Sequence, residues 1–348
     1  MNFAPEKRIQ FAVRRKIITM KKKHSRKRRL LWTCVGLLLG GLLAWSFSER
    51  PLVGGGKLDG IRARWVKHRV YSGVAPLDEQ GFSRLTPENA SGWYSVFREP
   101  IQTLEDYRAS QPARPTAQRK TIVLQPLGAM TAQQSASLND LKEFCAAFFG
   151  LPVRIAPPLS LDAVSQSTRA RHKQNRQYDA GKIIDVVLSP RLPADAAAYL
   201  GITMSDLWSG DLNYVFGVGS FERRLGVYSL ARYSPEFWGG KRAAGDDSLA
   251  LRRSCQVLGH EAGHMFGLEH CVLYKCAMNG SNSLGDADST PLDFCPVCHR
   301  KLLWNLDLDG AKRYAALLAF YQKHELSNEA TWTKARLQRW HKVAATEN

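Results

Sequence analysis

The sequence is poor in acidic residues and contains no internal repeat. Of its 348 residues, 31 are Asp or Glu and 49 are Lys or Arg, which gives a formal net charge of +18. Residues 1–29 hold 12 basic residues and one acid, Glu6, and account for +11 of this charge. Because most of the excess charge belongs to a tail, it does not indicate a nucleic-acid-binding protein, and no nucleic-acid partner is expected. An apolar fraction of 44% also excludes wholesale disorder.

An uncharged run of 18 residues, LLWTCVGLLLGGLLAWSF (30–47), follows the basic run KKKHSRKRR. As a helix it would extend about 27 Å, enough to cross a hydrocarbon core. The pattern predicts a transmembrane signal anchor at residues 30–47, with a signal peptide cut near residues 44–46 as the alternative. By the positive-inside rule, the basic tail (1–29) is cytoplasmic. Everything after residue 47 is then extracytoplasmic, either membrane-anchored or exported after cleavage. Met20 opens a good export-signal start and is an alternative to Met1.

The rest of the chain divides into three parts by composition. Residues 48–119 are rich in Pro, Gly and polar residues and predict a linker or N-terminal extension, part of which packs on the body through its aromatic residues. Residues 120–304 carry the tighter hydrophobic patterns of a folded domain. Residues 305–348 predict a C-terminal helical hairpin.

The patterns in the folded part predict an α/β (α+β) architecture with a mixed β-sheet. TIVLQPL (121–127) and LPVRIA (151–156) are apolar runs typical of strands. Between them, apolar residues at helical spacing predict a helix that Gly150 ends, so that the segment forms a βαβ unit. Further elements follow in the order helix, strand, strand and long helix, at residues 183–188, 212–217, 225–233 and 246–266.

The motif HEAGHMFGLEHC (260–271) has the spacing of a catalytic metal site. His260 and His264 are separated by four residues on one helical face, so both imidazoles can reach one ion. Glu261 is placed to take a proton from metal-bound water rather than to bind the metal. Gly267 can adopt positive φ and end the helix, which brings His270 round as a third ligand. Three neutral histidines leave one position of tetrahedral Zn²⁺ open for water.

The cysteines indicate a second metal site. Three of the seven, Cys34, Cys145 and Cys255, are interpreted as small apolar residues. The other four follow the pattern C-x4-C-x18-C-x2-C, in which two close pairs suit a tetrahedral zinc site. Two disulfides are the alternative if the domain is exported to an oxidising compartment. The candidate ligands are Cys271, Cys276, Cys295 and Cys298.

These motifs together resemble the archaemetzincin family of zinc metallopeptidases, within the metzincin clan. The resemblance is carried by HEAGHMFGLEHC, by CAM (276–278) and by CPVC (295–298). Shorter similar stretches are TIVLQPLG (121–128), RQY (176–178), SDLW (205–208), NYVFG (213–217) and VYSLAR (227–232). The resemblance covers residues 120–304 and implies a zincin-like catalytic domain built around an active-site helix.

The family likeness implies two zinc ions per chain, one catalytic and one structural. It implies a peptide or protein substrate, and hydrolysis in which Glu261 is the general base on a zinc-bound water. The edge strand that pairs with extended substrate in metzincins is predicted at VYSLAR. Carried over by position, the catalytic zinc ligands are His260, His264 and His270, the structural zinc ligands are Cys271, Cys276, Cys295 and Cys298, and the Met-turn residue is Met278.

Two further inferences concern regulation and alternative functions. Many metzincins are silenced by a pro-segment cysteine, but residues 48–119 contain none, so a cysteine switch from this region is excluded. The main alternative to a peptidase is a non-catalytic, zinc-stabilised protein-interaction module. The intact Glu261 speaks against it, because a purely structural site has no use for a base.

Overall fold

The computed structural model of the chain describes residues 79–90, 92–165 and 177–346. The predicted tail (1–29), the predicted transmembrane segment (30–47) and residues 48–78 of the predicted linker lie outside the described residues. Among the helices that the structure describes, none is both long and apolar enough to cross a membrane.

Strands and helices are interspersed up to residue 229 of the described chain, and the regular elements after it are helical. In chain order the elements are α1 (Gly92–Val96), α2 (Leu104–Ala109), β1 (Thr121–Leu127), α3 (Ala132–Phe149), β2 (Val153–Ile155), β3 (Gln177–Asp179), α4 (Ala180–Lys182, continued as a π-helix over Ile183–Leu188), β4 (Ala196–Thr203), β5 (Asp206–Ser209), β6 (Leu212–Val215), β7 (Gly217–Gly219), β8 (Leu225–Ser229), α5 (Asp246–Met265), α6 (Leu284–Asp288), α7 (Pro296–Leu306), α8 (Gly310–Lys323) and α9 (Ser327–Thr346).

The main sheet is mixed, as predicted, and has the strand order β2-β1-β4-β8-β7. The first four strands of this order run parallel, and β7 pairs antiparallel with β8 at the end of the sheet. A smaller sheet has the order β3-β5-β6. The predicted βαβ unit is confirmed: β1 and β2 are parallel neighbours, and α3 connects them.

Side chains of β1 alternate between two hydrophobic clusters because successive strand residues point to opposite faces. Ile122 and Leu124 join the cluster that includes α3 and α5. Val123 joins the opposite cluster, with the helical segment around Ile183. The sheet is therefore covered by helices on both faces, as parallel strands require.

The predicted helix between β1 and β2 forms from Ala132 to Phe149. The Thr131 hydroxyl oxygen caps its start by accepting a hydrogen bond from the Gln134 backbone N–H, and Gln134 Oε1 accepts one from the Thr131 backbone N–H. Gly150 ends it with a φ of 62°, the left-handed conformation that glycine adopts without strain. The predicted long helix is likewise confirmed as α5.

Two features of the sheet differ from the sequence prediction. The central strand β4, AAAYLGIT, was not predicted because alanine has low strand propensity, yet all eight residues are buried. The expectation that VYSLAR forms the edge strand is wrong. Only residues 227–229 of that stretch are strand. They end β8, which lies between β4 and β7, and the chain then turns into a 3₁₀-helix at Ala231–Tyr233. The edge strand next to β8 is β7.

Residues from both ends of the described chain pack onto the folded domain. Leu85 N–H donates to the Leu273 carbonyl, and Tyr107 of α2 is fully buried. At the other end, α8 and α9 form the predicted helical hairpin. Its Arg313 is buried, and its guanidinium is bound by the carboxylate of Asp293 at 2.6 Å.

Candidate active site and metal centres

Helix α5 carries the first two predicted histidine ligands on one face. Asp246 and Asp247 lie in its first turn, where negative charge stabilises the helix dipole. Near the other end, His260 and His264 are one turn apart, so both rings project on the same side. The Nε2 atoms of these two rings lie 3.0 Å apart.

A sharp turn after α5 brings the third predicted ligand to the same point. Gly267 has a φ of +85°, and a Cβ on it would lie 2.5 Å from the Cβ of Pro112, so this position requires glycine. His270 follows three residues later. One nitrogen of each of the three histidines falls within 4.8 Å of the others.

Backbone carbonyls orient the imidazole rings of His260 and His264. His260 Nδ1 lies 2.7 Å from the Ala277 carbonyl oxygen, and His264 Nδ1 lies 2.7 Å from that of Leu268. Each Nδ1–H donates to its carbonyl, which leaves Nε2 as the free nitrogen. This is the usual arrangement of metal-binding histidines, in which the second ring nitrogen fixes tautomer and orientation.

Burial keeps these two rings neutral. Desolvation, with the nearby His270, lowers the pKa of His260 to about 3. Desolvation also holds the pKa of His264 well below its usual value. Neutral imidazole is the form that binds a metal. Three histidine nitrogens with no carboxylate in the set match the ligands of catalytic zinc. The three histidines therefore fit zinc.

Glu261 lies on α5 beside the histidines but is not part of their set. Its side chain is 5% exposed and lies beneath β7. Burial raises the pKa of its carboxyl to about 8, and a hydrogen bond from the Gly219 backbone N–H lowers it in part. A dication held by the histidines would further favour the ionised form.

Two glycines allow β7 to approach α5 closely. A Cβ on Gly217 would lie 2.6 Å from Glu261 Oε1, and one on Gly219 would lie 2.5 Å from the Glu261 carbonyl oxygen. Val218, between them, faces the opposite hydrophobic cluster. The alternation of two glycines around a valine in FGVG is the sequence signal for this contact, and it was not used in the prediction.

Met278 packs beneath the histidine site, in the position predicted for the Met-turn. It is fully buried, and its Sδ would lie 2.6 Å from a Cβ on Gly263, which is located between the two histidines of α5. The Met278 carbonyl accepts a 2.7 Å hydrogen bond from the Cys271 backbone N–H. The floor of the site is thus tied directly to the residue after His270.

The four predicted cysteine ligands converge on one buried point. Their Sγ atoms all lie within 4.8 Å of one another, and those of Cys271 and Cys295 are 3.7 Å apart. Four sulfurs at about 2.3 Å from a tetrahedral zinc would be separated by about 3.8 Å. Cys276 Sγ also accepts a 3.1 Å hydrogen bond from the Cys295 backbone N–H. The sulfurs are free and fit zinc, so the disulfide alternative is not what the structure contains.

Four of the shorter sequence stretches meet at another buried point, around Asp206. Asp206 accepts hydrogen bonds from Arg232 Nε at 2.7 Å and Nη2 at 2.8 Å, and from Gln177 Nε2 at 2.8 Å. The Arg232 guanidinium lies 3.8 Å from the ring centre of Tyr214. These residues belong to RQY, SDLW, NYVFG and VYSLAR, so the four stretches are in contact in the fold.

The sequence prediction missed the partner of the third histidine. His270 Nδ1 lies 2.9 and 3.0 Å from the two carboxylate oxygens of Glu99, which is 171 residues earlier in the chain. The His270 ring also contacts Trp93 edge to face, with ring centres 5.2 Å apart. Neither residue belongs to a motif, and both lie in the region predicted to be a linker.

These features define a zinc metallopeptidase. One helix carries two histidines and a glutamate, a third histidine follows a glycine turn, and four cysteines form a separate cluster. Comparison with known proteins agrees with this class. The sequence model of Peptidase family M54 matches residues 153–303. Archaemetzincin-2 of Rattus norvegicus is 34% identical over 266 residues, covering 68% of this chain and 74% of that protein. Archaemetzincin of Thermococcus kodakarensis is 36% identical over 174 residues, covering 49% of this chain and 90% of that one.

The chain belongs to the archaemetzincin family. It is a zinc metallopeptidase with a catalytic zinc and a structural zinc, in agreement with its histidine and cysteine clusters. Among solved structures, the archaemetzincin of Methanopyrus kandleri is similar at 27% identity, with a TM-score of 0.44 and coverage of 56% of this chain and 99% of that chain.

Proposed function

We propose that this chain hydrolyses peptide bonds with Glu261 as general base, with His260, His264 and His270 as ligands of the catalytic zinc, and with the four clustered cysteines as ligands of the structural zinc. The observation that carries the proposal is the placement of the Glu261 carboxyl. It is buried beside the three histidines and directly beneath the edge strand, yet it is not one of the metal-binding set. A carboxyl in this position can move protons at a bound substrate without giving up a ligand bond.

When bound by the histidines, zinc supplies Lewis acidity, which polarises a carbonyl oxygen and lowers the pKa of water to about 7. Glu261 takes the proton of the attacking water and later delivers it to the leaving amine. The Gly219 N–H holds the carboxyl at one fixed point during both transfers. The orientation of the His260 and His264 rings is fixed by backbone carbonyls, which accept from their Nδ1–H groups.

Substrate recognition is proposed at β7 rather than at the originally expected VYSLAR. In the described part of the chain, β7 is the last strand of the sheet and lies over α5. An extended peptide that pairs with this edge would present a backbone carbonyl above the histidines and beside Glu261.

The test replaces Glu261 by Gln and measures cleavage of a peptide library together with zinc content. We expect a fall in kcat of at least about 100-fold with both zinc ions retained, because Gln keeps the shape but cannot accept the proton. The exposed Glu105 gives a matched control, Glu105→Gln, with unchanged activity. A wild-type chain that holds two zinc ions but cleaves nothing would instead favour the non-catalytic module.

We also propose that residues 30–47 anchor the chain in a membrane, with the catalytic domain extracytoplasmic or exported after cleavage. The support is the uncharged run and its basic flank. The full chain should resist alkaline extraction from membranes, whereas a variant without residues 1–47 should not. Protease added on the extracytoplasmic side should digest the anchored domain. A domain that stays protected would contradict the proposed orientation.

A further inference from the structure

The third histidine is held differently from the other two. His260 and His264 lie on a helix that fixes their backbone, and neutral carbonyls accept from their Nδ1–H groups. His270 lies beyond the turn, in a segment without regular structure. Its Nδ1 is bound by both oxygens of a carboxylate, that of Glu99, at 2.9 and 3.0 Å. Both side chains are mostly shielded, with 18% of His270 and 28% of Glu99 exposed.

A second contact from the same segment restricts the ring. Trp93 packs against the His270 imidazole at an interplanar angle of 80°. A Cβ on Gly280 would clash with the Trp93 ring, so that the tryptophan is itself held in a fitted position. Rotation of His270 about its side-chain bonds is thus opposed by a hydrogen bond at one edge of the ring and by an aromatic contact at another.

The segment that carries these two residues is tied firmly to the metal-binding turn. Gln102 Nε2 donates to the Gly267 carbonyl at 3.0 Å, and Gln102 Oε1 accepts from the Glu269 N–H at 3.2 Å. Tyr107 Oη donates to the Phe266 carbonyl at 2.6 Å. Glu99 therefore lies on a chain segment that is hydrogen-bonded to the same turn as His270.

We propose that Glu99 is a positioning residue of the catalytic metal centre, presented by a segment whose Gln102 and Tyr107 bind the metal-binding turn. The Glu99 carboxylate accepts from His270 Nδ1–H, so Nε2 carries the lone pair and faces the other two histidines. A charged acceptor forms a stronger hydrogen bond than a carbonyl and increases the basicity of the ligand nitrogen. This inference rests on the proposed function in one respect, namely that His270 is a zinc ligand.

The test measures zinc transfer from the holoprotein to a competing chelator, with Glu99→Gln, Glu99→Ala and wild type side by side. His264→Ala identifies which of the two zinc ions belongs to the histidines. Outer partners of metal-binding histidines contribute about 10- to 100-fold in metal affinity. We expect Glu99→Ala to weaken the histidine-site zinc by this factor. Glu99→Gln should have a smaller effect, because Gln keeps one acceptor but removes the charge. Affinity at the cysteine site should not change.

Glu105→Gln, in the neighbouring helix α2, is the matched control and should bind zinc as wild type does. Melting temperatures of all variants should agree within a few degrees, since Glu99 is partly exposed. Equal histidine-site affinity in Glu99→Ala and wild type would overturn the role of Glu99 and leave the peptidase proposal intact. Retention of both zinc ions by His264→Ala would instead refute the ligand set on which the inference rests.

Discussion

Gly217 lies directly over the carboxyl group of Glu261. A methyl group added to Gly217 would fall 2.6 Å from Oε1 and 2.7 Å from the carboxyl carbon. The proposed substrate strand and the proposed base are therefore in contact, with no side chain between them. The two positions are 44 apart in the sequence, and the pairing of β7 with β8 fixes the position of Gly217 in the sheet.

Gly217→Ala should lower activity while the fold is kept. The atoms that the new methyl group meets are the far end of the flexible Glu261 side chain, which can move aside. A displacement of about 1 Å at a catalytic group costs about 100-fold in rate, so we expect a kcat reduced by 10- to 100-fold with little change in melting temperature. The control is Gly259→Ala, whose methyl group would make ordinary contact with Phe148. Equal kcat for Gly217→Ala and wild type would contradict the proposed role of this contact.

Gly219→Ala should act on stability instead. Its methyl group would lie 2.5 Å from the backbone carbonyl of Glu261 and 2.8 Å from the Cβ of His264, neither of which can move without the helix. The strand and α5 must separate, and overpacking of this kind costs about 1–3 kcal/mol in the free energy of unfolding. Urea denaturation of Gly219→Ala and Gly217→Ala, side by side, measures the difference in their free energies of unfolding. The reverse order of stability would mean that the two glycines have other roles.

Metal analysis should separate the two centres. Wild-type protein should contain two zinc ions, and His264→Ala and Cys298→Ser should each contain one. The two variants should differ in stability. The cysteine cluster is buried, and its zinc contributes directly to folding. We therefore expect a large fall in melting temperature for Cys298→Ser and a small one for His264→Ala. Elemental analysis and thermal denaturation check both, and a variant that loses both ions while folded would contradict independent sites.

Arg232→Ala should destabilise the domain by about 3–5 kcal/mol, because it leaves the Asp206 carboxylate buried without its partner. The pair is 4% and 2% exposed, so solvent cannot replace the lost interaction. Arg242→Ala is the comparison: its ion pairs with Glu236 and Asp247 are on the surface, and their loss should cost less than about 1 kcal/mol. Chemical denaturation measures both variants. Similar losses in the two would show that the buried pair contributes no more than a surface one.

The residues that the sequence predicted best are those whose geometry is local. The spacing of His260 and His264 is fixed by one helical turn, and β1 has the predicted bounds because TIVLQPL is an apolar run between polar residues and a glycine. The four cysteines could be assigned to one zinc site because they occur as two close pairs, Cys271 with Cys276 and Cys295 with Cys298. Each of these features is determined by residues close to it in the sequence.

What the sequence could not provide depends on contacts between distant segments. The strand β4 consists largely of alanine, and only its position between β1 and β8 makes it a strand. VYSLAR has the composition of any buried strand, and composition does not tell an inner strand from an edge. Glu99 stands alone among polar residues, and its role follows only from the packing of the N-terminal segment against the turn that carries His270.

His270 and Cys271 are consecutive, so the two metal centres share a peptide bond. No insertion or deletion can occur between them without altering both sites at once. The segment from His260 to Cys298 contains all seven candidate ligands, which suggests that it could be transferred to another protein as a unit. Grafted into another scaffold, however, it would leave behind Glu99, Trp93 and Gln102, which hold its turn from outside. The smallest unit that could be transplanted with its metal chemistry intact therefore begins near residue 93.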